Sequence, residues 1–353
     1  MEAKNLKVQG LVLLDVDVVA LNNAGKNTIS NFDNAVGTKK IYKSGRSYVY
    51  VSGQAWRYWW RDSLQKNMGW KLSPITRQEK VAFTDANPVS FADDDVFGYM
   101  RAAKEEVIDE KGKAKKKDVT VTRVSPLKNS AIISAYATRP VENWSSMARQ
   151  NGDSVPYSKE EYSAVMKGMF SLDLSMVGTF SNYNKTGFQN LSDKLKEEAL
   201  KNGAKLIPDS YVAGQELVQL PLDVRKQRAV DTISALKYIS GGAMQTNNMG
   251  DVTPKFIVLA TTNTGNHPFS HIVSEKGEKD EQLFWNVEAL KEVLSEYKET
   301  FEGKIFIGKR AGFMDEWNES LATLKNEYKE IVEVGAVNEI IDKYCNQLKD
   351  QMA

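Results

Sequence analysis

The densest group of chemically capable side chains lies in residues 51–64, VSGQAWRYWWRDSL, where Trp56, Trp59 and Trp60 alternate with Arg57, Tyr58 and Arg61. Indole rings offer stacking area, and guanidinium groups offer paired donors to phosphate, a combination that suits single-stranded nucleic acid. The same letters also describe a core helix with solvated arginines. Around them, Lys26, Lys39, Lys40, Lys43, Arg46, Arg57, Arg61 and Lys66 face only Asp33 and Asp62 in the stretch from Asn22 to Lys66. Gly25, Gly37, Gly45 and Gly53 punctuate it, so backbone N–H groups can approach an anion. Ser52 is a favourable helix cap, and a helix start there adds partial positive charge. These features describe a surface that tracks phosphates along a strand. The competing reading is an ordinary solvated loop.

Other chemistries lack their residues. One cysteine, Cys345, excludes an internal disulfide and a cysteine-rich metal site. His267 and His271, the two histidines, sit in HPFSH, where Pro268 argues against a helical metal pair. Neither GxxxxGK[ST] nor GxGxxG occurs, and SPLKNS (125–130) lacks the lysine of an acyl-transfer motif. No cofactor and no metal site is expected. Asp93, Asp94 and Asp95 have no surrounding calcium-loop pattern and read as a solvated or partner-facing cluster, complementary to a basic patch on a neighbouring copy. GGAMQTNNMGDVTP (241–254) reads as a helix-to-strand connection or as a backbone-hugging clamp with Met244 or Met249 as an apolar wedge.

The elements that must position these groups follow from periodicity. Residues 6–21 alternate as a long strand, with Val12, Leu14, Val16 and Val18 on one face. Asn22 to Arg46 reads as a long polar loop and 48–51 as a short strand. Gln54 to about Gln65 reads as a helix with Trp56, Trp59, Trp60 and Ser63 on one side and Arg57 and Arg61 on its flank. Residues 70–135 look like an insertion whose charged stretch, 104–118, forms a mobile tip between two arms. Strands are expected at 169–180, 255–262 and 304–308. Helices are expected at 190–203, from Pro221 to Gly241, over 282–301 and from about 316 to 349. One elaborated α+β domain fits this order better than two separate ones.

With 41% hydrophobic and 26% charged residues the chain can bury a full core. A formal charge of +1 gives no global field toward nucleic acid or membrane, so any attraction must be local. The first residues, MEAKNLKVQGLVLLDVDVVAL, lack signal-peptide order, and Asp15 and Asp17 break an apolar run too short to span a bilayer. A cytoplasmic protein with no membrane partner is expected.

Taken together, VVALNNAGKN (18–27), SGQAWRYWWR (52–61), SPLKNS and LKYISGGAMQTNN…KFIVLATT (236–262) resemble the DevR-like branch of the RAMP superfamily. These are backbone subunits of type I CRISPR surveillance complexes (Cascade), here of the I-B kind. The resemblance runs from about residue 6 to about 310 and is strongest at 20–64 and 220–262. It implies a modified RNA-recognition-motif (ferredoxin-like) core, or palm, formed by 1–69 and 136–353. It also implies a protruding thumb hairpin near 240–254 and a finger-like inserted domain at 70–135. Such subunits stack along a guide RNA (crRNA), hold its backbone without regard to sequence and leave its bases open to target DNA. By match to the family's motifs, the RNA-binding residues would be Asn22, Asn23, Lys26, Ser52, Gln54, Arg57 and Arg61, with Gly242, Ala243, Met244 and Gln245 on the thumb side. Implied partners are crRNA, the target DNA strand paired to it, further copies in a helical filament, and guide-end cap, guide-processing and large Cascade subunits. A helicase-nuclease or transposition factors are further partners of such complexes.

The first expectation is therefore a non-catalytic guide-RNA-binding subunit. A metal-dependent endoribonuclease of the type III kind, using Asp33, is the enzymatic alternative, and a protein-only scaffold whose basic loop meets acidic partners is the third.

Overall fold

The computed structural model describes residues 5–352 apart from 29, 32, 79–80, 103, 109–113, 119, 148–150, 186 and 278–281; for 104–108, 114–118 and 147 it describes only the backbone. Residues 7–19, rich in valine and leucine, form β1 (Lys7–Val19) at the centre of a twelve-stranded mixed sheet. The others are β2 (Asn23–Lys26), β3 (Ala35–Thr38), β4 (Lys40–Lys43), β5 (Arg46–Val51), β6 (Leu127–Asn129) and β7 (Ile132–Ser134). They continue with β8 (Val141–Met147), β9 (Val155–Asp173), β10 (Phe256–Thr262), β11 (Ile305–Lys309) and β12 (Val332–Gly335). The main path is β12-β11-β10-β1-β9-β7-β5-β4, with β6, β8 and β3 also pairing with β9, and β2 with β3. β1 runs antiparallel to both β9 and β10.

Eight helices accompany the sheet among the described residues: α1 (Gly53–Met68), α2 (Ala92–Phe97), α3 (Asp193–Lys201), α4 (Leu222–Ser234), α5 (Gln245–Asn248), α6 (Val287–Glu296), α7 (Asn318–Glu327) and α8 (Val337–Gln351). The centre of the sheet is buried on both faces, which is why β1 is apolar on both sides from Leu11 to Leu14. Val8, Val12, Leu14 and Val16 pack with Trp56 and Trp60 of α1, Ile233 of α4, and Ile340 and Tyr344 of α8. Leu11 and Leu13 face the other layer, with Phe256, Phe269, Leu290 of α6 and Trp317 and Leu321 beside and within α7.

The α1 interface is aromatic and close. Trp56 and Trp60 stack at 5.4 Å, and the Phe170 ring meets Trp60 edge-on at 5.0 Å. Gly10 lies opposite Phe170 in the β1–β9 register. A Cβ there would come within 2.1 Å of the Phe170 ring, so glycine is what admits the ring to the sheet. Trp60 Nε1 donates to the Thr232 carbonyl at 2.7 Å and joins α1 to α4.

Several elements depart from the sequence expectations. Val18 leaves the apolar face: the register slips between Val16 and Val19, and Val18 adopts φ 45° and is 53% exposed. The polar segment 22–46 is organised as β2, β3, β4 and the start of β5, because β3 finds a parallel partner in Ser158 and Lys159 of β9. The strand expected from 169 begins at Val155. Leu283–Trp285 pairs with Val273–Glu275 as strand, and the helix starts only after Asn286, whose side chain accepts from Ala289 N at 3.0 Å. The expected helix from 316 to 349 is two helices around β12, where VEVG favours strand and pairs in parallel with β11. Residues 104–108 and 114–118 form an antiparallel pair, and the intervening 109–113, part of the expected tip, lie outside the described residues.

Trp60→Ala should lower the unfolding free energy by roughly 3–5 kcal/mol, measured by urea titration followed by circular dichroism. A change below about 1 kcal/mol would contradict its central place in the packing.

Candidate nucleic-acid interface

Three distant segments meet at the start of α1. Ser52 caps the helix with extended geometry, and its Oγ accepts from Ala55 N at 3.3 Å. Its own N–H donates to Asn22 Oδ1 at 2.9 Å, tying the chain just beyond β1 to the helix start. Asn129 Nδ2 donates to the Gly53 carbonyl at 3.1 Å, which brings SPLKNS to the same place. The segment after α4 docks from the other side. A Cβ on Gly241 would come within 2.2 Å of the Trp59 indole, and Ala243 N donates to the Leu21 carbonyl at 2.9 Å.

Gly242 has φ 110°, and a Cβ on it would lie 2.6 Å from Leu21 Cδ2. Met244 follows at φ 58°, and Gln245 Nε2 closes the turn on the carbonyls of Gly241 and, at 3.2 Å, Gly250. Asn248 fixes the far side by donating to the Val18 carbonyl at 2.6 Å and to Glu161. Asn22, Ser52 and Gly242–Gln245 are thus neighbours in space. Asn23 and Lys26 lie exposed on β2, and Gln54 is exposed on the first turn of α1. Met249 is 85% exposed at the end of α5.

Arg57 and Arg61 point elsewhere. Arg57 donates to the carbonyls of Phe97 and Leu127, both at 2.7 Å, to Ser125 Oγ at 2.9 Å and to Asn129 Oδ1 at 3.1 Å. Burial, with the nearby Arg61 charge, pushes its guanidinium down to about 10, and it remains a cation at neutral pH. Arg61 Nη2 pairs with Asp93 at 2.5 Å. The flank of α1 carrying both arginines faces α2 and β6 rather than solvent. Both arginines brace α1 against α2 and β6, where the sequence reading has them facing outward, while Trp56, Trp59 and Trp60 are core as expected.

Most of the basic stretch is paired as well. Lys40 meets Glu160 at 2.6 Å, Arg46 meets Glu275 at 2.5 Å and Lys66 meets Asp62 at 2.8 Å. Lys43 sits 3.9 Å over the Tyr48 ring, and exposed Lys26 lies 3.7 Å from exposed Asp33. Glu160 also accepts from Thr38 N at 2.8 Å, so it anchors the β3–β4 corner. Glu160 and Glu161 shape this region and carried no sequence signal, while Asn129 and Asn248 lie in SPLKNS and GGAMQTNN but act through partners far along the chain that spacing does not reveal. Among the described residues no group of three His, Cys, Asp or Glu side chains is placed to share a metal ion.

The acidic run is also not the solvated cluster expected from sequence. Asp93, Asp94 and Asp95 are buried at 1%, 1% and 0% exposure. Asp95 pairs with Arg123 at 2.5 Å and Arg228 at 2.7 Å and accepts from Gly178 N at 2.8 Å. Asp94 accepts from Asn87 N at 2.9 Å, but its Oδ1 is buried without a well-formed bond, although the Ser73 and Thr84 hydroxyls are near. Burial raises its carboxyl above the usual range.

Three comparisons bear on this arrangement. A family model described as "CRISPR-associated negative auto-regulator DevR/Csa2" matches residues 12–281. No curated protein matches the sequence. A solved structure titled "CRISPR RNA-guided surveillance complex" contains a chain of similar fold, with TM-score 0.50, 8% identity, and coverage of 97% of this chain and 99% of that one. Another, "CRISPR RNA-guided surveillance complex, pre-nicking", gives TM-score 0.51 and 8% identity over 97% and 99% of the two chains.

The two neighbouring aspartates should respond oppositely to amide substitution. Asp95→Asn leaves Arg123 and Arg228 without their shared anion and should cost on the order of 3–5 kcal/mol. Asp94 has a raised native pKa, so its contribution is favourable below the unfolded value and is lost as pH rises through the native value. Asp94→Asn should therefore raise the melting temperature near pH 7, and the advantage should shrink toward pH 4. Thermal melts across that range check both signs.

Proposed function

The chain belongs to the DevR/Csa2 family of CRISPR-associated proteins, and from that premise we propose that it is a non-catalytic subunit that holds guide RNA by its backbone within a Cascade-type surveillance complex. The observation that carries this reading is the junction of Asn22, the capped start of α1 at Ser52 and the Gly242–Gln245 turn. It gathers a helix N-terminus, amide side chains and two glycines where a strand can lie against backbone. Asn23, Lys26, Gln54 and Met249, all exposed, extend it outward. Arg57 and Arg61 serve by fixing α1 from behind. With most cations paired internally, recognition rests on N–H groups, amides and a few exposed lysines, which suits contact without sequence preference.

The antiparallel β10-β1-β9 centre, covered by α1 and α4 on one face, supports reading the core as a modified RNA-recognition motif. Residues 70–135 would then be the finger-like insertion; 240–254, expected as a thumb hairpin, is instead a docked turn holding the short helix α5 and no strand. The partners proposed with it are crRNA, the target DNA strand paired to the guide, further copies of the chain and other Cascade subunits. Among the described residues no helix is long and apolar enough to cross a membrane. Asp33, the residue on which an RNA-cleaving reading would depend, is exposed beside Lys26, and no observation favours that reading.

Purified protein should carry RNA, show a high 260/280 nm absorbance ratio and fall from large assemblies to smaller species on ribonuclease treatment. Added single-stranded RNA should bind with log K falling against log salt at about −0.7 per phosphate neutralised. Lys26→Ala should flatten that slope by about one phosphate equally for unrelated sequences, whereas Arg57→Ala should chiefly lower the melting temperature. An RNA affinity insensitive to salt would overturn the groove.

A further inference from the structure

The segment from Gly241 to Gly250 keeps its shape against a local cost. Among the described residues, six that are not glycine have left-handed backbone, and two of them, Met244 at φ 58° and Met249 at φ 48°, fall in this one turn. A side chain is disfavoured in that region, and such residues persist only where their surroundings fix them. Met249 gains no burial in return, being 85% exposed.

Gln245 does the fixing. Its Nε2 donates to the carbonyls of Gly241 and, at 3.2 Å, Gly250, so a single amide ties together the two ends of the turn. Two carbonyl neighbours also settle which way that amide points, with its nitrogen inward. Both of its N–H groups are therefore engaged inside the turn. What Gln245 can present outward is Oε1, an acceptor, which offers no hydrogen bond to a phosphate. The clasped turn docks on the end of β1, where Ala243 N donates to the Leu21 carbonyl at 2.9 Å and Asn248 Nδ2 to the Val18 carbonyl at 2.6 Å. Asn22, which holds the start of α1, follows directly in the chain.

We propose that Gln245 is a positioning residue: it clasps the 241–250 turn in the shape that meets the guide backbone and does not itself touch RNA, in contrast to the contact that family resemblance implies. This role rests on the RNA reading of the α1 junction. A turn ordered before RNA arrives loses little freedom on binding, so the clasp raises affinity without adding a contact. Opening it lets Met244 and Met249 return to ordinary backbone angles and the turn leave its docked position. Affinity then falls for every sequence alike, while the number of phosphates neutralised stays the same because no cation has changed.

The test compares wild type, Gln245→Met and Gln245→Asn as full-length proteins freed of bound RNA. Methionine keeps the length and loses the donors, and asparagine keeps the donors but is too short to span both carbonyls. Thermal melts establish that each protein is folded. Hydrogen exchange is followed over 241–250 without RNA, and labelled oligouridylate is titrated by fluorescence anisotropy at several salt concentrations. Both variants should exchange faster at 243–249 in the free protein and bind oligouridylate about tenfold more weakly, with the slope of log K against log salt unchanged. Equal affinity in all three proteins overturns the positioning role while the RNA reading stands. Weaker binding with wild-type exchange in the free protein overturns it in favour of a direct contact. Wild-type protein that fails to bind oligouridylate overturns the RNA reading and this role with it.

Discussion

Asp95 sits without solvent contact between two guanidinium groups, and much of the molecule is arranged to make that possible. A buried carboxylate is tolerated only when its charge and lone pairs are matched. Arg123 gives it a salt bridge and spends its remaining donors on the carbonyls of Asp95, Met176 and Thr179. Arg228, from α4, adds the second ion pair and reaches back to the carbonyls of Pro88 and Val89. One anion therefore joins α2, the strand at 121–123, the turn after β9, and α4. Arg57 and Arg61 attach α1 to the same body through Phe97 and Asp93. The start of α1, where Asn22 and the 241–250 segment converge, inherits its position from this arrangement.

That dependence explains which features were legible in the sequence. α1 was readable because its determinants are local: Ser52 at the cap, an apolar side at helical spacing, and Gly69 in a left-handed C-cap. The inward tryptophans followed from the same periodicity. The fate of its arginines did not follow, because periodicity places a residue on a flank without saying what packs there. Asp93–Asp95 read as solvated for a similar reason, since Arg123 and Arg228 are distant in the chain. β3 looked like loop because its partner on β9 lies more than a hundred residues away, and VEVG disappeared inside a longer helical pattern. The junction of residues 22, 52 and 242 was anticipated only through family resemblance.

Charge tells a related story. The cations of residues 22–66 first suggest an open electrostatic groove, yet most have an intramolecular partner. In this fold they assemble a surface more than they constitute one: Lys40 with Glu160 and Arg46 with Glu275 pin the β3–β5 region to the strands behind it. What remains outward is largely amide, hydroxyl and main chain.

The central place of β1 also governs how the chain reaches its native state. β1 is finished by residue 19, but its neighbours β9 and β10 end at residues 173 and 262. At about 5–20 residues per second of synthesis, the first of these partners emerges roughly eight to thirty seconds later. During that interval the strand at the centre of the sheet has both edges open, and the sheet can close only through contacts of high sequence separation. The strand that organises the finished molecule is thus the segment most in need of shelter while it is being made.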